Sequence, residues 1–285
     1  MALNILSVRK FHMSAENFSP EQTFLSGQVF RYERGNDGWF IKSGSEIAYV
    51  IADPDGGYQV YCSDEPYFKR YFDLRTDYSA IQEAVNVNPV MSRAVSYGKG
   101  IRILRQDRLE TLVSFLLSSN NNIERIRQMI ERICEYLGEK REFCGKTFYT
   151  FPTLARLATQ DVEFYRRLGL GYRAEFLVNT VHKLRNGFSL DALDEMSSAR
   201  ARTALTALDG VGVKMADCIL LFAFRRTDAF PVDTWMERVY YACFSQEKRT
   251  RVQISQYFTD LFGKYSGFAQ QYLFYYGRSG EDPSI

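Results

Sequence analysis

The sequence predicts an α+β protein in which a small antiparallel β-sheet domain precedes a larger helical core. Short alternating runs and turn signals fill roughly the first 65 residues. From about Glu65 the apolar residues recur at helical spacing. No repeat, low-complexity tract or long linker separates the two parts. We therefore expect a β domain with flanking helices over residues 1–100 and a helical core over residues 101–285.

Four short runs in the N-terminal part are typical of strands, because polar turns rich in Gly, Asn and Asp separate them. They lie at 28–32, 39–42, 46–51 and 58–62, which predicts a β meander. Further along, 109–117 is apolar nearly all round and predicts a buried helix. Amphipathic or mixed helical periods follow at 123–133, 153–168, 174–185, 190–195, 198–207, 214–224, 234–243, 250–262 and 267–276.

Composition and charge exclude several classes of protein. The net charge of +2 neither requires nor excludes a nucleic acid partner. The five cysteines form no C-x-x-C pair, so we expect neither a disulfide framework nor a zinc or iron–sulfur site. No signal peptide or uncharged membrane-spanning stretch is present, which predicts an intracellular protein. With only His12 and His182, acid–base chemistry would fall to carboxylates or lysine.

The turn at 208–214 carries the strongest chemical signal. It has the sequence LDGVGVK and joins two predicted helices, 198–207 and 214–224. Such a helix–hairpin–helix presents free backbone N–H groups and a helix dipole to an anion. Gly210 and Gly212 would let a phosphate approach the backbone closely. An ordinary helix–helix turn with a glycine cap is the alternative.

Lys214, at the start of the second helix, could act as a nucleophile. The helix dipole opposes a cation at this end, so we expect the neutral amine to be favoured. Cys218 shares a helix face with Lys214, although a surface lysine and a buried cysteine would have the same spacing. Asp233 precedes another predicted helix. It would act as an N-cap, as a carboxylate that stabilises a cationic sugar, or as both.

Three further segments carry residue types that enzymes acting on nucleic acids use. The asparagines of 118–122 either cap a helix or fill the gap left by a flipped base. Tyr172 and Arg173 end a glycine-rich turn, as a wedge with a base-reading arginine or as a plain turn. Gln270 and Phe274, at i and i+4, would read and stack on a base, or be ordinary helix residues.

Together these segments resemble the 8-oxoguanine DNA glycosylase family of the helix–hairpin–helix superfamily. No single motif decides the matter, but the ordered set is highly specific. The resemblance implies an active site in a cleft between two helical subdomains. The matching segments are 26–31 (SGQVFR), 104–107 (LRQD), 118–123, 168–174, 210–218, 231–233 and 267–274.

The resemblance also implies a role for each candidate residue. Lys214 would be the Schiff-base nucleophile and Asp233 the catalytic carboxylate. Gly27 would bind the N7 hydrogen of the damaged base. Cys218 and Phe274 would contact its two faces, and Gln270 would read its Watson–Crick edge. The duplex would be contacted by Asn120 in the vacated space, Tyr172 as wedge, Arg125 and Arg173 at the orphaned cytosine, and Gly210, Gly212 and Lys214 around the hairpin.

The implied activity is that of a bifunctional DNA glycosylase and AP lyase. We expect a monomer that excises 8-oxoguanine opposite cytosine from duplex DNA, at the nucleoid of a prokaryotic cytoplasm and away from membranes. No cofactor is expected, although the hairpin at 208–213 could hold a structural cation. The rivals are a monofunctional alkyl-base glycosylase, which lacks the lysine, and a non-catalytic hairpin protein that binds DNA. Two residues depart from the family pattern: Asp209 replaces a proline, and Trp235 replaces a histidine of animal members.

Overall fold

The computed structural model describes residues 8–279 and begins with an antiparallel sheet of five strands. The strands are β1 Arg9–Met13, β2 Tyr32–Arg34, β3 Gly38–Ser43, β4 Glu46–Ala52 and β5 Tyr58–Cys62. Their order in the sheet is β1-β5-β4-β3-β2, and the predicted meander is confirmed over β3, β4 and β5. Phe40 and Tyr49 face each other across β3 and β4 with their rings stacked at 4.2 Å, a cross-strand pair that stabilises this register.

The strand predicted over 28–32 is wrong, because only Tyr32 belongs to β2. The buried side chain of Gln28 instead donates to the carbonyls of Thr23 and Arg102 and accepts from the backbone N–H of Leu104. The segment is therefore fixed by a side-chain amide rather than by a strand ladder. This arrangement holds the preceding residue, Gly27, at a φ of 81°.

Most helices surround a hydrophobic core separate from that of the sheet, whereas the first two pack on the core of the sheet. The helices within residues 8–279 are α1 Pro20–Leu25, α2 Glu65–Tyr71, α3 Tyr78–Val85, α4 Pro89–Tyr97, α5 Arg108–Leu117, α6 Ile123–Leu137, α7 Leu154–Leu157, α8 Val162–Arg167, α9 Arg173–Arg185, α10 Ser198–Thr206, α11 Val213–Ala223, α12 Thr234–Cys243, α13 Arg251–Phe262 and α14 Ser266–Gly277. A two-stranded hairpin, β6 Lys140–Phe143 with β7 Lys146–Tyr149, was not predicted. Three 3₁₀ helices complete the set: Ala15–Asn17, Asp191–Glu195 and Gly263–Tyr265.

Most predicted helices are confirmed within a residue or two, with three exceptions. The helix predicted over 123–133 continues to Leu137. The helix predicted over 153–168 is two helices, α7 and α8, because the Asp161 carboxylate accepts the Phe164 N–H and starts a new helix. The helix predicted over 190–195 is the 3₁₀ helix Asp191–Glu195. All three corrections concern segments outside the turn that carries Lys214.

Helix α11 lies in the centre of the helical part, against α5 and α10. Eight of its residues, from Met215 to Phe222, are buried. Asp217 among them is paired with Arg202 of α10 at 2.5 Å, and this pair joins the two helices of the hairpin motif. The ion pair therefore fixes the first turns of α11 against α10.

Polar bonds attach the sheet to the helices. Buried Arg31 pairs with Glu110 of α5 at 3.1 Å, and Glu110 also accepts the backbone N–H of Gly44 at 2.7 Å. Gln271 of α14 donates to the carbonyl of Ser26 at 2.8 Å. The turn at Gly27 is thus fixed beside α14. Helices α3 and α4, which lie inside the predicted first domain, pack on α14, and the boundary at residue 100 stays a prediction.

Candidate active site

The hairpin between α10 and α11 ends in a helix start that faces outward with open N–H groups, while the Val211 N–H bonds within the turn to the Leu208 carbonyl at 3.1 Å. Gly210 has a φ of 80°, and a Cβ there would lie 2.5 Å from the Phe176 ring, so glycine is required. A Cβ on Gly212 would meet nothing within 4 Å. No side chain caps α11, so the N–H groups of its first turn remain available. A helix start of this kind suits a phosphate.

Lys214, one residue into α11, lines a pocket that collects six of the predicted residues from distant parts of the chain. The lysine Nζ lies 5.8 Å from the centre of the Phe115 ring. Lys214 and Asp233 line the same pocket, so the proposed nucleophile and carboxylate are neighbours. The predicted residues in its wall are Gly27, Lys214, Cys218, Asp233, Gln270 and Phe274.

The electrostatic environment of Lys214 differs from the expectation. The Cys218 sulfur and the Asp233 carboxylate raise the pKa of Lys214 above its ordinary value and outweigh burial, which lowers it. This direction is opposite to the prediction that the neutral amine is favoured here, because Cys218, one turn along the helix, and Asp233 act against the dipole of α11. Burial raises the pKa of Cys218 to about 11, so this partner of the lysine is a thiol at neutral pH.

Asp233 combines a structural and an electrostatic role. Its Oδ1 accepts the backbone N–H groups of Trp235 at 3.0 Å and Met236 at 2.9 Å, which caps α12. Both bonds go to Oδ1, so within the described residues Oδ2 keeps its lone pairs for another partner. The half-buried carboxylate can therefore place a negative charge in the pocket while it holds its helix.

Gln270 provides the clearest sign that the pocket recognises a ligand. Its side chain is only 5% exposed, and its Oε1 has no hydrogen-bond partner among the described residues. A buried acceptor without a donor is costly, and such atoms are rare in proteins. A donor on a bound molecule would satisfy it. The assignment of Gln270 to a base edge remains a prediction, which this geometry favours.

Phe274 closes the pocket in this form. A Cβ on Gly27 would lie 3.1 Å from the Phe274 ring, and Arg278 covers the same ring at 5.2 Å. The remaining cavity is about 30 Å³, room for a water molecule or two and far less than a purine needs. A base could stack between Phe274 and Cys218 only after the phenylalanine side chain moves.

Beyond the hairpin, the residues predicted to contact the duplex lie in the asparagine loop, 118–122, and at the starts of α6 and α9. Asn120 has a φ of 44°, unusual for a residue other than glycine, and Arg125 is exposed at the start of α6. Tyr172 is 48% exposed, as a wedge would be. Arg173 differs, since it is 3% exposed and donates to the carbonyls of Ser119 and Asn120. In this form it supports the asparagine loop instead of facing solvent.

Sequence reasoning missed four residues of the pocket wall. Phe115 and Phe222 stack at 5.6 Å to form an apolar part of the wall, Pro231 lies before Asp233, and Gln271 holds the turn at Gly27. Pro231 and Gln271 had a signal, since they lie in the segments 231–233 and 267–274 that carry the resemblance. The two phenylalanines look like ordinary core residues in their helices, and only tertiary packing brings them together.

Within residues 8–279, no group of three or more His, Cys, Asp or Glu side chains is placed to hold a metal ion. None of the helices in that range is both long and apolar enough to cross a bilayer. A cation held by hairpin carbonyls at 208–213 stays a prediction.

Two protein-family models match the chain, and they meet inside α5. One, described as 8-oxoguanine DNA glycosylase, N-terminal domain, matches residues 10–112. The other, described as HhH-GPD superfamily base excision DNA repair protein, matches residues 113–264. Both halves of the described fold are therefore covered in the order that the sequence predicts.

Individual relatives agree with the family models. The chain is 31% identical over 280 residues to the N-glycosylase/DNA lyase of Arabidopsis thaliana, which covers 88% of this chain and 75% of the plant protein. It is 34% identical to the 8-oxoguanine glycosylase/lyase of Clostridium acetobutylicum, solved with double-stranded DNA containing cytosine opposite 8-oxoG. That superposition has a TM-score of 0.89 and covers 98% of this chain and 99% of the other.

A relative with a different specificity shares only the fold. The 3-methyladenine DNA glycosylase of Archaeoglobus fulgidus superimposes with a TM-score of 0.78, over 95% of this chain and 99% of the other. Its sequence identity is 17%. The fold alone therefore does not separate the alternatives, and the residues of the pocket must do so.

Proposed function

The chain belongs to the 8-oxoguanine DNA glycosylase family, and we propose that its pocket excises 8-oxoguanine from duplex DNA and then nicks the strand. It is a DNA glycosylase with lyase activity. The observation that carries the proposed mechanism is the placement of Lys214, Asp233 and the unpaired Gln270 carbonyl in one pocket wall. An amine, a carboxylate and a base-reading acceptor are the groups that this chemistry requires.

Binding begins with rotation of the damaged nucleotide out of the duplex, which costs a few kcal/mol of unstacking. The hairpin N–H groups beside Gly212 hold a backbone phosphate, and Phe274 moves aside to stack on the base. Gln270 accepts a hydrogen bond from the Watson–Crick edge. The Gly27 carbonyl accepts the N7 hydrogen that the oxidised base has and guanine lacks.

The first chemical step joins Lys214 to the sugar. Because its pKa is raised, the ammonium must first lose a proton, and the Asp233 carboxylate in the same pocket can accept it. Nζ then bonds to C1′ while the bond from C1′ to the base breaks. The electron pair leaves with the base, which takes the proton that Asp233 had accepted. The Asp233 carboxylate is then charged again and stabilises the positive sugar.

The second step cuts the strand. Opening of the sugar ring converts the C1′–Nζ bond into an imine. Loss of a C2′ proton then expels the 3′ phosphate by β-elimination, and hydrolysis of the imine returns the free lysine. The residues that act here, Lys214 and Asp233, are those already in the pocket.

The preference for cytosine opposite the lesion belongs to the same proposal. Arg125 is exposed and free to reach the orphaned base, whereas Arg173 would have to release the carbonyls of Ser119 and Asn120. Asn120 would enter the space that the flipped nucleotide leaves. A single copy of the chain would suffice, since these residues all belong to one protomer.

Covalent trapping tests the proposal. A duplex with 8-oxoguanine opposite cytosine, incubated with the protein and sodium borohydride, is expected to give a protein–DNA adduct, because hydride reduces the imine to a stable amine. Lys214→Gln should abolish the adduct, and Lys146→Gln, on β6–β7, serves as the matched lysine control. An adduct of normal yield from Lys214→Gln would contradict the assignment. Duplexes with each of the four opposing bases then test the cytosine preference.

A further inference from the structure

We propose that one stripe of α9 sets the spacing between the two loops that contact DNA, and that Asn179, Lys183 and Asp209 are positioning residues for the reaction. This inference rests on the proposed function. The α9 stripe consists of Tyr172, Phe176, Asn179 and Lys183. Their spacing of four, three and four residues places them on one face of the helix.

The C-terminal end of the α9 stripe holds the start of the hairpin at three points. Lys183 donates to the Asp209 carboxylate at 2.6 Å and to the carbonyl of Ala207 at 2.7 Å. Asn179 donates to the other Asp209 oxygen at 2.8 Å. The hydrogen bonds from Lys183 and Asn179 also lower the pKa of Asp209, so its carboxylate is ionised at neutral pH.

The middle of the α9 stripe packs against the hairpin on one side and against Tyr172 on the other. The Phe176 ring lies so close to Gly210 that a Cβ there would come within 2.5 Å of it. The same ring meets the Tyr172 ring edge to face, at 5.6 Å between centres. Phe176 is therefore packed between the hairpin that binds a phosphate and the side chain that would wedge into the duplex.

The N-terminal end of the stripe holds the asparagine loop. Tyr172 donates its hydroxyl to the Ser119 carbonyl at 3.1 Å, and the adjacent Arg173 donates to the carbonyls of Ser119 and Asn120. The loop that enters the duplex and the hairpin are therefore attached to one helix. About 16 Å of helix separates the two attachments, at 1.5 Å per residue.

The exposure of the Asp209 contact indicates what it does. Its partners are 38% and 41% exposed, and an ion pair of this kind adds little to the stability of a fold. A departing hairpin, however, would carry the phosphate-binding N–H groups away from Asn120. The three bonds therefore matter for holding the DNA in register, a role in which a small free energy changes binding directly.

A double-mutant cycle on Lys183→Met and Asp209→Asn tests the inference. Each single variant should raise the KM for a duplex with 8-oxoguanine opposite cytosine about two- to fivefold, the range for an exposed ion pair. The kcat and the melting temperature should stay the same, because Lys214 and the core are untouched. The double variant should be no worse than Lys183→Met alone, since both substitutions break the Lys183–Asp209 ion pair and only Lys183→Met also loses the bond to Ala207. Lys183→Arg should retain the parental KM.

Arg166→Met is the matched control. Arg166 pairs with Glu175, which is also on α9 but off the stripe, and the two side chains are 43% and 55% exposed. This variant should keep the parental KM. Additive losses in the cycle, an unchanged KM in both single variants, or an equal loss in Arg166→Met would overturn the inference. Failure of the parent to form the borohydride adduct would instead count against the proposed function.

Discussion

The pocket around Lys214 is much smaller than a cleft near the other end of α11, yet the pocket holds the groups that can react with or recognise a ligand. The pocket has a volume of about 30 Å³, whereas the cleft has about 930 Å³. Five arginines line the cleft, but most have partners inside the protein: Arg105 and Arg225 with Asp73, and Arg108 with Asp191. The pocket instead holds a carbonyl with no partner.

Size therefore does not locate the chemistry in this protein. A pocket closed by its own aromatic side chain, Phe274, collects the amine, the carboxylate and the unpaired acceptor. The open cleft offers mostly guanidinium groups that are already neutralised. The better guide is a perturbed titratable group and an unsatisfied acceptor in one pocket wall, since buried core groups such as Tyr71 are also perturbed and unsatisfied.

Asp233→Asn should break the chemistry of the pocket with the largest effect. Asparagine caps a helix as well as aspartate does, so α12 should remain intact while the charge is lost. Removal of one stabilising group of this kind costs about 100- to 1,000-fold in rate. Single-turnover excision from a duplex containing 8-oxoguanine measures the loss.

The cleft provides the control for that experiment. Arg70→Gln combined with Arg185→Gln removes two of its arginines and should leave excision from a short duplex unchanged. If this variant lost activity as Asp233→Asn does, the contrast between pocket and cleft would be wrong. Parental activity in Asp233→Asn would be equally damaging.

Phe274→Ala should have an intermediate effect and tests the closure of the pocket. The substitution opens the pocket but removes a stacking surface worth about 1–3 kcal/mol per base, so binding should weaken roughly five- to 150-fold. Phe274→Tyr keeps the ring and should bind like the parent. Binding of a lesion duplex to the Lys214→Gln background measures affinity without turnover. Tighter binding by Phe274→Ala would mean that the ring only obstructs the base.

The smallest effect concerns pH. Cys218 and Asp233 raise the pKa of Lys214, so the reactive neutral amine becomes more abundant as pH rises, and excision should accelerate from neutral to alkaline pH. Cys218→Ala removes the first of these causes, including the hydrogen bond that the sulfur accepts from the ammonium as a thiol, so the pKa of Lys214 should fall and the rising limb should shift towards lower pH. Single-turnover rates from pH 6 to pH 9 would reveal the shift. A limb that moved towards higher pH would contradict the assigned cause.

Local signals and the resemblance to the glycosylase family together located the six predicted pocket residues, and Gly27 came from the resemblance alone. Gly210 and Lys214 belong to one turn, and Asp233 starts a helix whose cap the sequence already suggested. Gln270 and Phe274 share a face of α14 by spacing alone. Turns, helix caps and i, i+4 pairs depend mainly on neighbouring residues, so they can be predicted from the sequence.

The missed features depend mostly on tertiary contacts. The larger contribution to the raised pKa of Lys214 comes from Cys218, one turn along the same helix, and a smaller one comes from Asp233, which only the fold brings beside it. The absence of a strand at 28–31 follows from Gln28 bonding to a segment more than seventy residues away. The burial of Arg173 follows from carbonyls on a loop some fifty residues earlier. Periodicity and propensity do not encode which distant group will arrive.

On the proposed role of Gln270, its Oε1 would discriminate between purines before any covalent step. Because this oxygen is buried and has no partner among the described residues, a guanine-type edge, with hydrogens on N1 and N2, would gain a hydrogen bond with little further dehydration of the protein. Adenine would bring the lone pair of its own N1 towards the same oxygen and meet repulsion. The folded protein would thus favour one purine over the other before the nucleotide arrives.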